Sequence, residues 1–222
     1  DGNASVARLL VRKLIPEAVP GTTMEDVVLS RVNYDLLDGH PDSRINIRLN
    51  STAVNVGHKN RSTKVDVTYV RNHQTHTIRA NKCILACYNS AIPYLCDELP
   101  TKQIEGLRYN VKVPLTYTKV MVSNWRAFAE LGLDFVYYTN DFFKQVELDY
   151  PVSIGEYQFN SSPDEPMILH MCHSHHSPDI KGPDQWREGR RRLLSTPFSV
   201  FEGHVKSQLD QALGSNGFDV DK

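Results

Sequence analysis

Residues 76–89 read HTIRANKCILACYN, and the stretch closes on an uninterrupted apolar run at 83–86. The neighbouring segment KVDVTYVR, residues 64–71, instead alternates, with Val65, Val67 and Tyr69 at every second position. Alternation marks a strand with one wet face, whereas a continuous run marks a strand covered on both sides, as in a parallel sheet. The segment INIRLNSTAVNVGH, residues 45–58, adds Ile45, Ile47 and Leu49, then Val54 and Val56. The links KNRST (59–63) and NHQ (72–74) suit hairpin turns. The block is thus predicted to be a small antiparallel meander feeding a buried strand that ends at Ala86, Cys87, Tyr88 and Asn89. In open α/β sheets ligands gather at the carboxyl ends of parallel strands, where small side chains let a bulky group approach the backbone. Ala86 and Cys87 meet that requirement, and they equally suit a plain strand end before a helix capped near Asn89 or Ser90.

Upstream, DGNASVARLLVRKLIPEAVPG (1–21) places Val6, Leu9, Leu10 and Leu14 at helical spacing. Asn3 or Ser5 can cap this helix, and Pro16 and Pro20 stop it. A chain that opens without a methionine at the mouth of a helix is expected to be the interior of a longer protein. Residues 21–44 are polar, with Gly, Pro and Asp, and read as loop with one helical turn.

Downstream, LDFVYYT, KQVELDYPVSI, EYQF and MILHMCH read as four further strands. DQWREGRRRLLS and PFSVFEGHVKSQLDQAL read as helices, the second with an apolar face of Val200, Phe201, His204, Val205, Leu209 and Leu213. A mixed sheet covered by helices follows, and the fold class is α/β of the mixed, α+β kind.

With 25 Lys+Arg against 26 Asp+Glu in 222 residues, charge is balanced, and REGRRR at 187–192 reads as a solvated helix face. That gives no nucleic-acid footprint. No apolar run reaches the roughly 18 residues that a membrane helix needs. Cys83, Cys87, Cys96 and Cys172 lack paired spacing and read as reduced, packed thiols. Asn3, Asn50, Asn60 and Asn160 each open an Asn-x-Ser/Thr triplet, a pattern short enough to arise by chance. The cluster HMCHSHHSPD offers His170, Cys172, His173, His175 and His176, yet no further ligand follows at zinc-site spacing and no metal is expected. No Gly-x-Ser-x-Gly accompanies these histidines, which argues against a hydrolase.

Taken together, DGNASVARLLVRKL, RLNSTAVNVGH, NKCILACYNSAIPYLCDELP and VPLTYTKVMVSNW resemble the interior of bacterial flavin-dependent amine oxidoreductases of the monoamine-oxidase superfamily, most closely the spermidine-dehydrogenase-like group. The likeness runs in order over residues 1 to 213. It implies a partial FAD-binding, Rossmann-like domain at 1–88, a substrate-binding domain at 89–213, and a tail at 214–222 leading toward a carboxyl-terminal FAD segment. Ala53 matches the position whose backbone meets the adenine, and Ala86 and Cys87 match the strand end beside the cofactor. Gly2 matches the second glycine of a pair that approaches the flavin, the first being replaced here by Asp1. Lys119 matches, with a gap, a lysine that holds a water near the flavin; desolvation in an apolar strand would suit it to proton handling.

The resemblance further implies FAD in the intact protein, an amine or polyamine substrate, and an inert, flavin-free isolated segment. A polyamine needs carboxylates and aromatic faces. Asp134, Asp141, Glu147, Asp149 and Glu156 lie near Tyr137, Tyr138, Tyr150 and Tyr157 in sequence, and Asp149, Tyr150 and Glu156 are the substrate-binding candidates. Exposed sheet edges in such a segment invite self-association. Two other readings fit the same residues: an interaction or ligand-binding module without flavin, and a flavoenzyme of the same fold acting on an apolar substrate.

Overall fold

A computed structural model describes residues 2–39, 44–59 and 62–221. The chain divides into two compact units, Asp1–Arg108 with Ile154–Glu156, and Tyr109–Ser153 with Tyr157–Lys222.

The first unit opens with α1 (Asn3–Leu14). The helix forms where the 3.6-residue period demands it, but Val6, Leu10 and Leu14 stay exposed. Its arginines dock it instead. Arg12 donates to the carbonyls of Val19 and Pro20, each at 2.8 Å, and Arg8 donates to those of Val27 and Ser30. The irregular chain beneath offers many carbonyls without ladder partners, and a guanidinium with five donors satisfies them. The short α2 (Met24–Leu29) is started by a reciprocal capping box between Thr23 and Asp26. Ile15, Ala18, Val19 and Leu37 close a small apolar core against Val11, Val32, Leu36 and Ile47.

The expected meander is present as β1 (Thr52–His58), β2 (Val65–Arg71) and β3 (Gln74–Ala80), antiparallel in that order. The β1–β2 link contains Asn60 and residue 61, which lie outside the described residues, as does Asp1. Asn72 and His73, both at positive φ (50° and 61°), make the two-residue β2–β3 turn. A primed turn needs that conformation at both central positions. A register shift between Ala53 and Asn55 leaves Val54 as a bulge in β1. The segment 45–50 forms no strand.

The expected buried strand at 83–86 is corrected by the structure. Residues 82–86 join no ladder, Cys83, Ala86 and Cys87 are exposed, and Ile84 is 90% exposed. An apolar run is covered only when strands flank it and helices lie over both faces. Among the described residues no strand pairs with this one. The chain then enters a 3-10 turn at Asn89–Ala91 and the short α3 (Ile92–Leu95), without a side-chain cap. Helix α4 (Thr101–Tyr109) follows.

The second unit is built on β4 (Leu115–Val122), β5 (Phe135–Tyr137), β6 (Gln145–Leu148) and β7 (Met167–Ser174), in the spatial order β4-β7-β6-β5. Every ladder is antiparallel, so the sheet is not mixed in direction as expected. No helical crossover joins neighbouring strands here, and antiparallel partners need none. EYQF forms no strand either, because Gly155 turns the chain at φ 60° and Tyr157 faces solvent.

Met167, Leu169 and Met171 point from β7 into a core shared with Phe128, Phe143, Val146, Leu209 and Leu213. That core is covered by α5 (Arg126–Leu131) and α7 (Phe198–Leu213), while α6 (Asp184–Ser195) follows β7. Gly189 lets α6 approach closely, since a Cβ there would stand 2.2 Å from the His175 carbonyl oxygen. Gln208 on α7 satisfies both backbone groups of Phe143, accepting from its N–H at 2.8 Å and donating to its C=O at 3.0 Å. The hydroxyl of buried Tyr138 donates to the Gln208 carbonyl at 2.9 Å, and burial pushes this phenol up to about 12.

Candidate functional site

The four-stranded sheet has a second face, and strand alternation decides what it carries. On β4, Thr116, Thr118, Val120 and Val122 turn inward while Tyr117, Lys119 and Met121 turn outward. On β7 the outward positions are Ile168, His170 and Cys172. Register places Lys119 opposite His170, His170 opposite Glu147, and Glu147 opposite Phe135. One row across four strands therefore carries an ammonium, an imidazole, a carboxylate and an aromatic ring. The His170 ring stacks on Tyr117 with centroids 5.4 Å apart.

This row borders a concavity of 830 Å³ whose wall includes Lys119, Trp125, Asp134, Glu147, Asp149, Tyr150 and Phe159. The volume suits a small organic molecule, and the mix of rings with few charged groups is usual for such sites. Lys119 Nζ donates to Asp149 Oδ1 at 2.8 Å. The ammonium beside it holds the Asp149 carboxyl below the usual carboxylate range, opposed by partial burial. Among the described residues Glu147 and Asp134 form no ion pair. The Gln145 amide donates to Glu147 Oε1 at 3.4 Å. Two buried polar atoms on this wall, Trp125 Nε1 and His170 Nδ1, have no hydrogen-bond partner among the described residues.

The expectations for this region divide. Lys119, Asp149 and Tyr150 come together on one wall, as do Asp134 and Glu147. The dry surroundings expected for Lys119 are absent: its side chain is 50% exposed and ion-paired. Tyr138 is committed to the core. Glu156 belongs to the first unit. Trp125, Phe135, Phe159 and His170 were not singled out as a ligand wall from sequence. The signal available for His170 was the period-two pattern of MILHMCH, which sets it on the face opposite Leu169 and Met171.

The histidine cluster divides between two environments. His173 and His204 sandwich the Phe142 ring, with centroid distances of 3.9 and 4.2 Å and interplanar angles of 13° and 4°. His175 is edge-on to His173, and its Nε2 lies 2.6 Å from Thr116 Oγ1. Burial pushes His173 down to about 4. Among the described residues no group of three His, Cys, Asp or Glu side chains is placed to hold a metal ion. No helix of the described residues is long and apolar enough to cross a membrane.

The four positions expected to meet a cofactor all lie in the first unit. Gly2, at φ 75°, caps α1, and a Cβ there would meet nothing within 4 Å. Ala86 and Cys87 expose small side chains, and Ala53 is an exposed β1 residue paired with Tyr69 beside the bulge. The Asn160 amide, in contrast, donates to the Pro166 carbonyl and to Met167 Sδ, so it is engaged within its own loop.

No protein-family profile matches the chain, and no curated protein matches it. Solved structures do. A triple mutant of putrescine oxidase, made for structure-based redesign of cofactor binding, aligns with 74% of this chain at TM-score 0.51 and 14% identity. A single mutant from the same redesign aligns over the same share, also at TM-score 0.51 and 14% identity, and a double mutant at 0.50 and 12%. The alignments cover 31% of each of those chains, so this chain spans less than a third of their length. This chain thus has a mixed α/β fold with antiparallel sheets, similar to part of putrescine oxidase.

Proposed function

We propose that the chain is part of a longer FAD-dependent amine oxidoreductase acting on a polyamine such as spermidine. The observation that carries the reading is the 830 Å³ concavity, where carboxylates and aromatic rings share a wall with Lys119. An aliphatic ammonium is attracted by both kinds of group. A long apolar substrate would strand those carboxylates, so the apolar-substrate alternative fits the wall less well. The fold likeness to part of putrescine oxidase supports the same reading.

In this proposal residues 1–88 contribute to FAD binding and residues 89–213 to substrate binding. Gly2, Ala53, Ala86 and Cys87 would lie against the cofactor. FAD, when bound, supplies the acceptor for a hydride equivalent from the carbon beside the amine nitrogen. The chain's own residues do the rest. Glu147 and the rings of Trp125, Tyr150 and Phe159 hold and orient the amine, which must lose its ammonium proton before the carbon–hydrogen bond is broken. Lys119 presents an ammonium that can fix a water at the wall, and aromatic rings packed around the amine would exclude others. The resulting imine is hydrolysed by water. Residues 1–222 alone would be inert, and the open edges of β3 and β4 would favour self-association at high concentration.

The test is the absorption spectrum of the longer protein. A flavin band bleached by spermidine, and not by simple monoamines, is the expected result. Absence of flavin from that protein, or a band that no amine bleaches, would sink the proposal.

A further inference from the structure

The Lys119–Asp149 pair has a second consequence, which rests on the amine reading above. Asp149 lies two residues beyond Glu147 and just past the end of β6, yet its N–H still donates to the Ile168 carbonyl at 2.8 Å. Its backbone is therefore pinned to β7. Its Oδ1 accepts from Lys119 Nζ at 2.8 Å and from its neighbour's N–H, that of Tyr150, at 3.2 Å. The residue is thus held at three points, one on its backbone and two at Oδ1, which fixes the carboxylate beside Lys119. Glu147 has no such engagement: its row partners are His170 and Phe135, and its ion-pairing capacity is unused among the described residues.

Charge makes the difference functional. A bare ammonium at Lys119 would stand two strands from Glu147, roughly 10 Å at 4.8 Å per strand. It would repel a cationic ligand and compete for the carboxylate that should receive it. We propose that Asp149 is a positioning residue: it fixes the Lys119 ammonium at the wall and cancels its charge, leaving Glu147 to receive an organic cation. Asp149 thereby acts through Lys119 rather than by touching the substrate.

Residue-resolved acylation tests this on the 222-residue chain. Trace acetic anhydride at pH 8 and peptide mass spectrometry give the rate at Lys119 relative to exposed Lys82. Asp149→Asn should raise the relative rate about two- to fivefold, the range of a half-exposed ion pair, and Asp149→Glu should restore it. In the unsubstituted chain, 1 M salt shortens the screening length to about 3 Å and should speed Lys119 more than Lys82. This arm holds even if Asp149→Asn weakens folding. Putrescine binding, followed by NMR, should weaken severalfold in Asp149→Asn and recover in Asp149→Glu.

An unchanged Lys119 rate in Asp149→Asn, no selective response to salt, or failure of Asp149→Glu to restore the rate overturns the positioning role. If putrescine binds the chain and Asp149→Asn leaves affinity untouched, the charge-cancelling role is overturned while the amine reading stands. If the acylation results hold but no amine binds even the unsubstituted chain, the amine reading fails, and with it the proposed use of Glu147.

Discussion

The two units are held together by different physics. The first has four buried apolar residues in its principal cluster and relies on ionic and carbonyl-directed bonds: Asp38 is gripped by Arg48 at 2.9 Å and Arg71 at 2.7 Å, and Arg48 also donates to the Tyr69 hydroxyl at 2.9 Å. The second has ten buried residues in one cluster, with buried polar groups at Gln208, Tyr138, His175 and Ser177 and no ion pair among them. Apolar burial is non-directional and survives changes of salt and pH, whereas charged hydrogen bonds do not. The contrast predicts that the first unit answers to ionisation and the second to volume.

The largest effect should come from removing volume where there is most to lose. Leu169 is fully buried at the centre of the second core, and Leu169→Ala should cost about 2–5 kcal/mol. Val19→Ala, in the smaller cluster, removes two methyl groups and should cost about 1–2 kcal/mol. Native-state hydrogen exchange in urea reads each unit by its own amides. Equal losses at the two sites would erase the distinction between the cores.

Next in size is an acid response that crosses the pattern, because it arises in the apolar unit. His173 is neutral when folded, with its protonation pushed down to about 4, while an unfolded histidine titrates near 6.5. The unfolded state therefore binds the proton first, and stability falls as pH drops from about 6.5 to about 4, then levels. The loss is on the order of 2–3 kcal/mol. The Lys144 ammonium nearby opposes protonation of His173 further, and burial shifts His175 in the same direction. His173→Phe should flatten that limb of a urea-denaturation series against pH. A limb that survives the substitution would place the acid sensitivity elsewhere.

How far these features were legible from sequence depends on whether a pattern names its own partner. Alternation in KVDVTYVR and MILHMCH places one face of each strand by itself, and β2 and β7 are where it says. The run at 83–86 names no partner, so the same letters fit a covered strand and the exposed segment that the structure contains. For α1 the period places the helix but not its docking, since arginines bonding to carbonyls leave no periodic trace. The candidate site was half legible for the same reason. Lys119 and Asp149 were each singled out, but their pairing depends on β4 lying beside β7, a strand about fifty residues away, and on a register that no local pattern encodes.

The ionic network of the first unit gives the third prediction. Hydrogen bonds from Arg48, then Arg71, hold the Asp38 carboxyl down to about 2 against some desolvation. A carboxylate with a depressed folded-state value contributes stability that is present above the unfolded value near 3.9 and is lost as pH falls toward 2. Asp38→Asn should remove that acid limb for the amides of β1 and β2 while leaving those of β6 and β7 unchanged. High salt should mimic the substitution in part. Loss of protection in β7 on substituting Asp38 would contradict the assignment of ionic dependence to the first unit.

The smallest effect probes the β2–β3 turn, where backbone conformation rather than charge or volume sets the energy. His73 sits at φ 61° after Asn72 at φ 50°, and Arg71 and Gln74 close the ladder on either side. A side chain with a Cβ costs about 1–2 kcal/mol in the left-handed region, less for residues such as Asn and His that visit it readily. Glycine removes this strain but loses more backbone entropy on folding, which returns about half of the gain. His73→Gly should therefore stabilise the hairpin by less than about 1 kcal/mol, read as slower exchange at Val67 and Tyr69 with no change at Leu169. Because the substitution touches neither the arginine network nor either core, a destabilisation would mean that the His73 ring, rather than the turn, supports β2 and β3. Tyr69 already stacks on His76 at 5.2 Å, so an aromatic contact of that kind is the alternative such a result would favour.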